Sequence, residues 1–90
     1  LQGAGQAMAT ERRDAIRIGL LRTGAKNLRE YGYPTCTAQN ILTDQIFRQF
    51  FDAMLVDNRG KDPEVDVVID ELRAAIEAAD PKPKTRRIKE

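Results

Sequence analysis

Between Asp62 and Asp80 the apolar residues Val65, Ile69, Leu72, Ile76 and Ala79 return at intervals of four, three, four and three. That rhythm follows the turn of an α-helix and lines the side chains along one stripe. Asp62-Pro63-Glu64 marks the start: the aspartate caps, proline loses nothing at the first helical position, and acid suits the positive end of the helix dipole. Two heptads are too few for an independent coiled coil, so other helices must cover the stripe.

Two further segments share this period. Ile46, Phe47, Phe50, Phe51, Met54 and Leu55 stack at helical spacing, with Thr43 and Asp44 placed to cap them and Gln45, Arg48, Gln49 and Asp52 on the opposite face. Glu11 to Tyr31 predicts the first helix, with Thr10 as its cap, Glu11 and Asp14 in the opening turn and Gly32 as the stop. Ile18, Leu21, Ala25 and Leu28 form one apolar column on it, and Ile16, Leu20, Gly24 and Tyr31 form a second, which suggests two packing partners. Gly19 and Gly24 lower helix propensity but offer places for close helix approach.

Tyr33-Pro34-Thr35-Cys36-Thr37 forms a corner, since the residue before a proline is pushed out of the α region. Thr37 can then cap a short helix over Ala38–Leu42, although one bent helix from Thr37 to Leu55 is an alternative. No segment alternates with the period of two that a sheet needs. The expected fold is all-α, a small bundle of three main helices plus one short helix.

At 90 residues the chain has room for one domain. Its expected extent is 10–80, preceded by residues 1–9 as an unordered, non-native start, with Met8 as the natural beginning, and followed by a flexible basic tail over 81–90. The net charge of +1 hides a segregation. Residues 1–33 carry six basic and three acidic groups, residues 61–80 two and seven, and residues 81–90 five and one. An antiparallel docking of the acidic last helix on the basic first helix is therefore expected.

The residue types exclude most chemistry. The chain has no His, Ser or Trp and one Cys, so neither a serine–histidine nor a cysteine–histidine nucleophile pair can be assembled. A zinc site would need one thiolate plus carboxylates, and Asp57-Asn58-Arg59-Gly60-Lys61-Asp62 places Arg59 and Lys61 where a calcium loop needs oxygen ligands. Asp66, Asp70, Glu71 and Glu77 read as solvated or Arg73-paired acids on the outer side of the last helix. No enzyme activity, cofactor, metal or small-molecule substrate is expected. There is no run of 18 apolar residues and no second thiol for an internal disulfide, so the expected location is the cytoplasm, with no membrane partner.

Cys36, the one thiol, reads as structural: a helix N-terminus could lower its pKa, but no histidine is there to activate it. Tyr31, Tyr33, Phe47, Phe50 and Phe51 read as core. So short a domain has a thin stability margin, and its stripes look broader than the chain can hide alone. Ile18, Leu21, Leu28, Phe47, Phe51, Val65, Ile69, Leu72 and Ile76 are thus the expected partner-binding residues, completed by a second copy in a homodimer or by another protein. The alternative is nucleic acid. Arg22, Lys26 and Arg29, in a row with Arg12, would join Lys82, Lys84, Arg86, Arg87 and Lys89 of the tail as phosphate contacts. A helix-turn-helix over Thr37–Phe51, reading bases with Gln45, Arg48 and Gln49, fits poorly because its turn lacks a glycine.

The segment Tyr31-Gly32-Tyr33-Pro34-Thr35-Cys36-Thr37-Ala38-Gln39-Asn40-Ile41-Leu42-Thr43-Asp44, followed by Ile46-Phe47-Arg48 and Phe50-Phe51, resembles small uncharacterised proteins of phages and prophages. The resemblance spans residues 31–51 and carries over no catalytic or binding residue. It implies a cytoplasmic, non-enzymatic protein that acts by binding host or phage macromolecules.

Overall fold

The computed structural model describes residues 2–79, with side chains from Thr10 onward. It contains helices α1 (Gln2–Tyr31), α2 (Gln45–Asn58) and α3 (Pro63–Ala79), and no strand among the described residues. None of these helices is long and apolar enough to cross a membrane. The tail residues Lys82, Lys84, Arg86, Arg87 and Lys89 lie outside the described residues.

Helix α1 starts well before the expected cap, so Thr10 is an interior residue, and the start expected to be unordered is helical from Gln2. Ala4, Gln6, Ala7, Met8 and Ala9 are good helix formers, and although Gly3 and Gly5 lower propensity, no proline there removes a donor from the backbone ladder. The other end stops as expected. Gly32 has φ +123°, the Tyr33 N–H donates to the Leu28 carbonyl at 2.9 Å, and the Gly32 N–H donates to the Arg29 carbonyl at 3.4 Å. This is a Schellman closure, which needs the left-handed conformation that glycine adopts without penalty.

Both shorter helices begin on an aspartate. Asp44 Oδ1 accepts from the Ile46 and Phe47 N–H groups at 2.9 and 3.2 Å, and Asp62 Oδ1 accepts from Glu64 and Val65 at 2.9 and 3.3 Å. Asp44 itself is extended, at φ −106° and ψ 132°, which separates α2 from the corner and excludes one bent helix. The short helix expected over Ala38–Leu42 is instead a run of turns. Thr37 and Asn40 explain this, because Thr37 N–H donates to Asn40 Oδ1 at 2.7 Å while Asn40 N–H donates to Thr37 Oγ1 at 3.1 Å. Thr43 N–H and Oγ1 both donate to the Asn40 carbonyl at 3.0 Å, closing a second turn instead of extending a helix.

Cross-helix pairs fix the topology. Asn27 meets Met54 and Tyr31 meets Phe50, so α1 and α2 are antiparallel. Asp52 meets Arg73 and Arg59 meets Asp70, so α2 and α3 are antiparallel too. Arg12 meets Glu64 at 2.8 Å and Arg17 meets Glu71 at 2.6 Å, so α1 and α3 run parallel. The expected attraction between the basic first helix and the acidic third helix therefore exists, but in the opposite orientation. The corner over 32–44 and the short link over 59–62 each reverse the chain, which leaves the first and third helices pointing the same way.

The core lies between the three helices and the corner. It holds Ala25 and Leu28 from α1, Cys36 and Ile41 from the corner, Phe47, Phe51 and Leu55 from α2, and Val68, Ile69, Leu72 and Ile76 from α3. Ile16, Leu20, Leu21, Tyr33, Leu42, Met54 and Val65 pack around it, partly buried. Full burial of a side chain such as Leu55 or Ile69 contributes about 1.5–3 kcal/mol relative to exposure. At Gly24 the side chains of α2 and the corner press close on the α1 backbone: a Cβ there would stand 2.6 Å from Phe51 Cδ1 and 3.0 Å from Ile41 Cδ1. At Gly19 the equivalent position is open, with nothing within 4 Å.

Candidate interaction surfaces

Six of the residues expected to face a partner are covered by the chain itself. Leu28, Phe47, Phe51, Ile69, Leu72 and Ile76 are all buried in the core and leave at most a tenth of their surface exposed. Leu21 and Val65 are partly buried, and Ile18, at 48% exposed, is the one fully on the surface. The first helix turns a single broad face to both neighbours, so its two columns converge on one core and leave Ile18 and Tyr31 at its edges.

Aromatic residues supply the surface that remains. Tyr31 is 74% exposed and Phe50 38%, against the expectation that all the aromatic residues lie in the core. The apolar face of α2 is wider than the strip α1 and α3 can cover, so Ile46 and Phe50, four residues apart on its flank, stay outside while Phe47 and Phe51 go in. Tyr31 packs edge-on against Phe50 with ring centroids 5.6 Å apart, and Tyr33 lies 5.5 Å from the same ring. Beside this edge runs an apolar groove of about 220 Å³ between α1 and α2, lined by Gly24, Leu28, Phe51 and Met54 together with the polar Asn27 and Asp57. The width of the apolar arc on α2 was the sequence signal for this surface.

The basic residues divide by use. Arg12 and Arg17 join α1 to α3, and Arg17 also reaches Asp14 at 2.6 Å. The Glu71 hydrogen bond, helped by Asp14 and opposed by partial burial, holds the Arg17 guanidinium above its ordinary range. Arg29 donates to the Cys36 carbonyl at 3.0 Å. Arg22 and Lys26 are exposed and take part in no ion pair among the described residues.

Arg48 does not sit on the solvent face of α2. It is 92% covered, being 8% exposed, and its Nη1 donates to the Leu42 carbonyl at 3.2 Å. A side chain so placed cannot reach into a DNA groove, and the corner before it contains no helix, so the helix-turn-helix reading is removed.

Cys36 is fully enclosed, and burial pushes its thiol up despite the opposing charge of Arg29. Of the acids of α3, Glu77 is exposed with no ion pair among the described residues, as expected, while Asp66, Asp70 and Glu71 are engaged by groups other than Arg73. Asp70 takes both ends of the Arg59 guanidinium at 2.8 Å, Asp66 accepts from the Gly60 N–H at 2.9 Å, and Arg73 turns to Asp52 on α2. Among the described residues no group of three or more His, Cys, Asp or Glu side chains could hold a metal ion. The chain matches no protein-family model, no curated protein and no solved structure.

Proposed function

We propose that this chain is a non-catalytic protein-interaction module of the cytoplasm that self-associates through the edge shared by α1 and α2. The observation that carries the reading is the exposed apolar group of Tyr31, Phe50 and Ile46 beside the α1–α2 groove. Aromatic side chains that stay in water beside a concave apolar strip are the usual anchors of a protein contact. A second copy brings the same edge, and an isologous contact lets each Tyr31 lie over the other copy's groove. The fully enclosed Cys36 and the lack of histidine support a role without covalent chemistry. The resemblance of residues 31–51 to small phage and prophage proteins points the same way.

Sedimentation velocity across a concentration series tests this. The wild-type chain is expected to dimerise, and a Tyr31→Ala, Ile46→Lys double variant to stay monomeric with unchanged helical circular dichroism. A wild-type chain that remains a monomer up to high micromolar concentration rules out self-association.

A second reading draws on Arg22 and Lys26, which are exposed without carboxylate partners among the described residues. With Arg29 and the tail residues Lys82, Lys84, Arg86, Arg87 and Lys89 they would track phosphates. Affinity for non-specific duplex DNA would then fall with salt at a slope of about −0.9 per phosphate contacted, and deleting residues 82–90 would flatten that slope.

A further inference from the structure

Arg48 is the buried charged side chain among the described residues, and its surroundings leave it incomplete. Its guanidinium has five N–H donors, of which one bond is made, to the Leu42 carbonyl at 3.2 Å. No carboxylate among the described residues stands within ion-pair distance of it. A charge taken from water with neither counter-ion nor matched hydrogen bonds is unfavourable, and such groups are ordinarily paired.

The side chain lies at the wall of an open polar cleft of about 600 Å³ between α2 and α3. Gln45 and Gln49 border it from α2, and Arg73 and Glu77 from α3. The other charges there are already matched. Asp52 holds Arg73 at 2.9 Å, and Asp70 holds Arg59 with two bonds of 2.8 Å. That leaves Arg48 as the unmatched positive group and Glu77 as the unmatched negative one.

We propose that this cleft is a binding site for an oxyanion, a carboxylate or phosphate group, with Arg48 as its counter-ion and the side-chain amides of Gln45 and Gln49 as further donors. A planar guanidinium with open N–H groups matches two oxygens of such a group at once. Glu77 works against it from the opposite wall and limits the affinity.

The test uses the full chain with inorganic phosphate and with acetate, each compared with chloride at equal ionic strength so that general screening cancels. Thermal unfolding and an NMR titration are read together. The wild-type chain is expected to gain thermal stability in a saturable way, with shifts at the Gln45 and Gln49 side-chain amides and at Arg48 Nε. Arg48→Gln is expected to bind about tenfold or more weakly, the loss of a charge-assisted pair. Glu77→Gln, on the exposed wall, is expected to bind more tightly. A larger response to phosphate than to acetate identifies a phosphate group as the ligand, and the reverse identifies a carboxylate.

If neither anion outperforms chloride, or if the shifts fall on Arg22 and Lys26 instead of the cleft, the proposal is wrong. It is equally wrong if Glu77→Gln lowers stability without changing anion binding, because Glu77 is then the partner of Arg48 in solution. Should Arg48→Gln fail to fold, the wild-type titration and Glu77→Gln decide the question.

Discussion

Two glycines of one helix, five residues apart, allow packing to be separated from helix propensity. Replacing a helix-interior glycine by alanine stabilises by about 0.8–1.0 kcal/mol from propensity alone. At Gly19 a new Cβ meets nothing within 4 Å, so Gly19→Ala should show that full gain. At Gly24 the same methyl would stand 2.6 and 2.8 Å from two atoms of the Phe51 ring and 3.0 Å from Ile41 Cδ1. Phe51 is 1% exposed and Ile41 0%, so neither can swing into water to make room. Either α1 retreats from α2 or the ring is pushed into the core, and overpacking of this kind costs about 1–3 kcal/mol. Gly24→Ala should therefore range from neutral to about 2 kcal/mol less stable. Because propensity is common to both, the difference between the two variants measures the packing cost itself. Urea denaturation of both variants reads that difference, and a domain of this size shifts in Tm by about 4–8 °C per kcal/mol. Equal stabilisation by the two substitutions would show that α1 and α2 do not approach at Gly24, and would remove the helix arrangement described above.

The cap of α3 gives a second expectation. Asp62→Ala removes the acceptor for two N–H groups and should cost about 1 kcal/mol, with Asp62→Asn retaining most of it, as read by thermal unfolding. The third concerns pH. The hydrogen bond from Arg59 holds the Asp70 carboxyl below its ordinary value, so the stability this pair contributes is present above the unfolded carboxylate pKa and is lost as pH falls through the folded value. Arg59, raised by the same contact, stays charged throughout. Asp70→Asn should thus be less stable than wild type at neutral pH and should converge with it in acid. A gap between the two that persists in acid would contradict the ion pair.

How far the sequence determines this fold is seen in particular residues. Asp44, Asp62 and Gly32 act where their types and spacing predict, because a cap or a left-handed stop is a local event decided within a few bonds. Thr37 and Asn40 are equally local, but their side chains satisfy each other and close a turn where a helix was expected. The start of α1 lacked a marker, since runs of Ala, Gln and Met continue a helix without announcing it. The parallel course of α1 and α3 is a property of topology and follows from counting connections, not from charge. Candidate surfaces were harder to read. Periodicity shows which side chains share a stripe, but whether α1 or solvent covers Phe50 depends on how wide an arc its neighbours span, and that is decided in three dimensions. Arg48 had no apolar pattern to betray its burial, because what holds it is a backbone carbonyl of the corner, at Leu42.

The corner between α1 and α2 is gripped from both sides, since Arg29 of the first helix holds the Cys36 carbonyl and Arg48 of the second holds the Leu42 carbonyl. Cys36 and Ile41, fully enclosed, anchor the same stretch from beneath. Such a connector behaves as a keystone and not as a hinge. Grafts, added residues or a circular permutation placed there should collapse the domain, whereas the link between α2 and α3, exposed and tied down at Gly60 by one hydrogen bond to Asp66, is where the chain can be cut and rejoined.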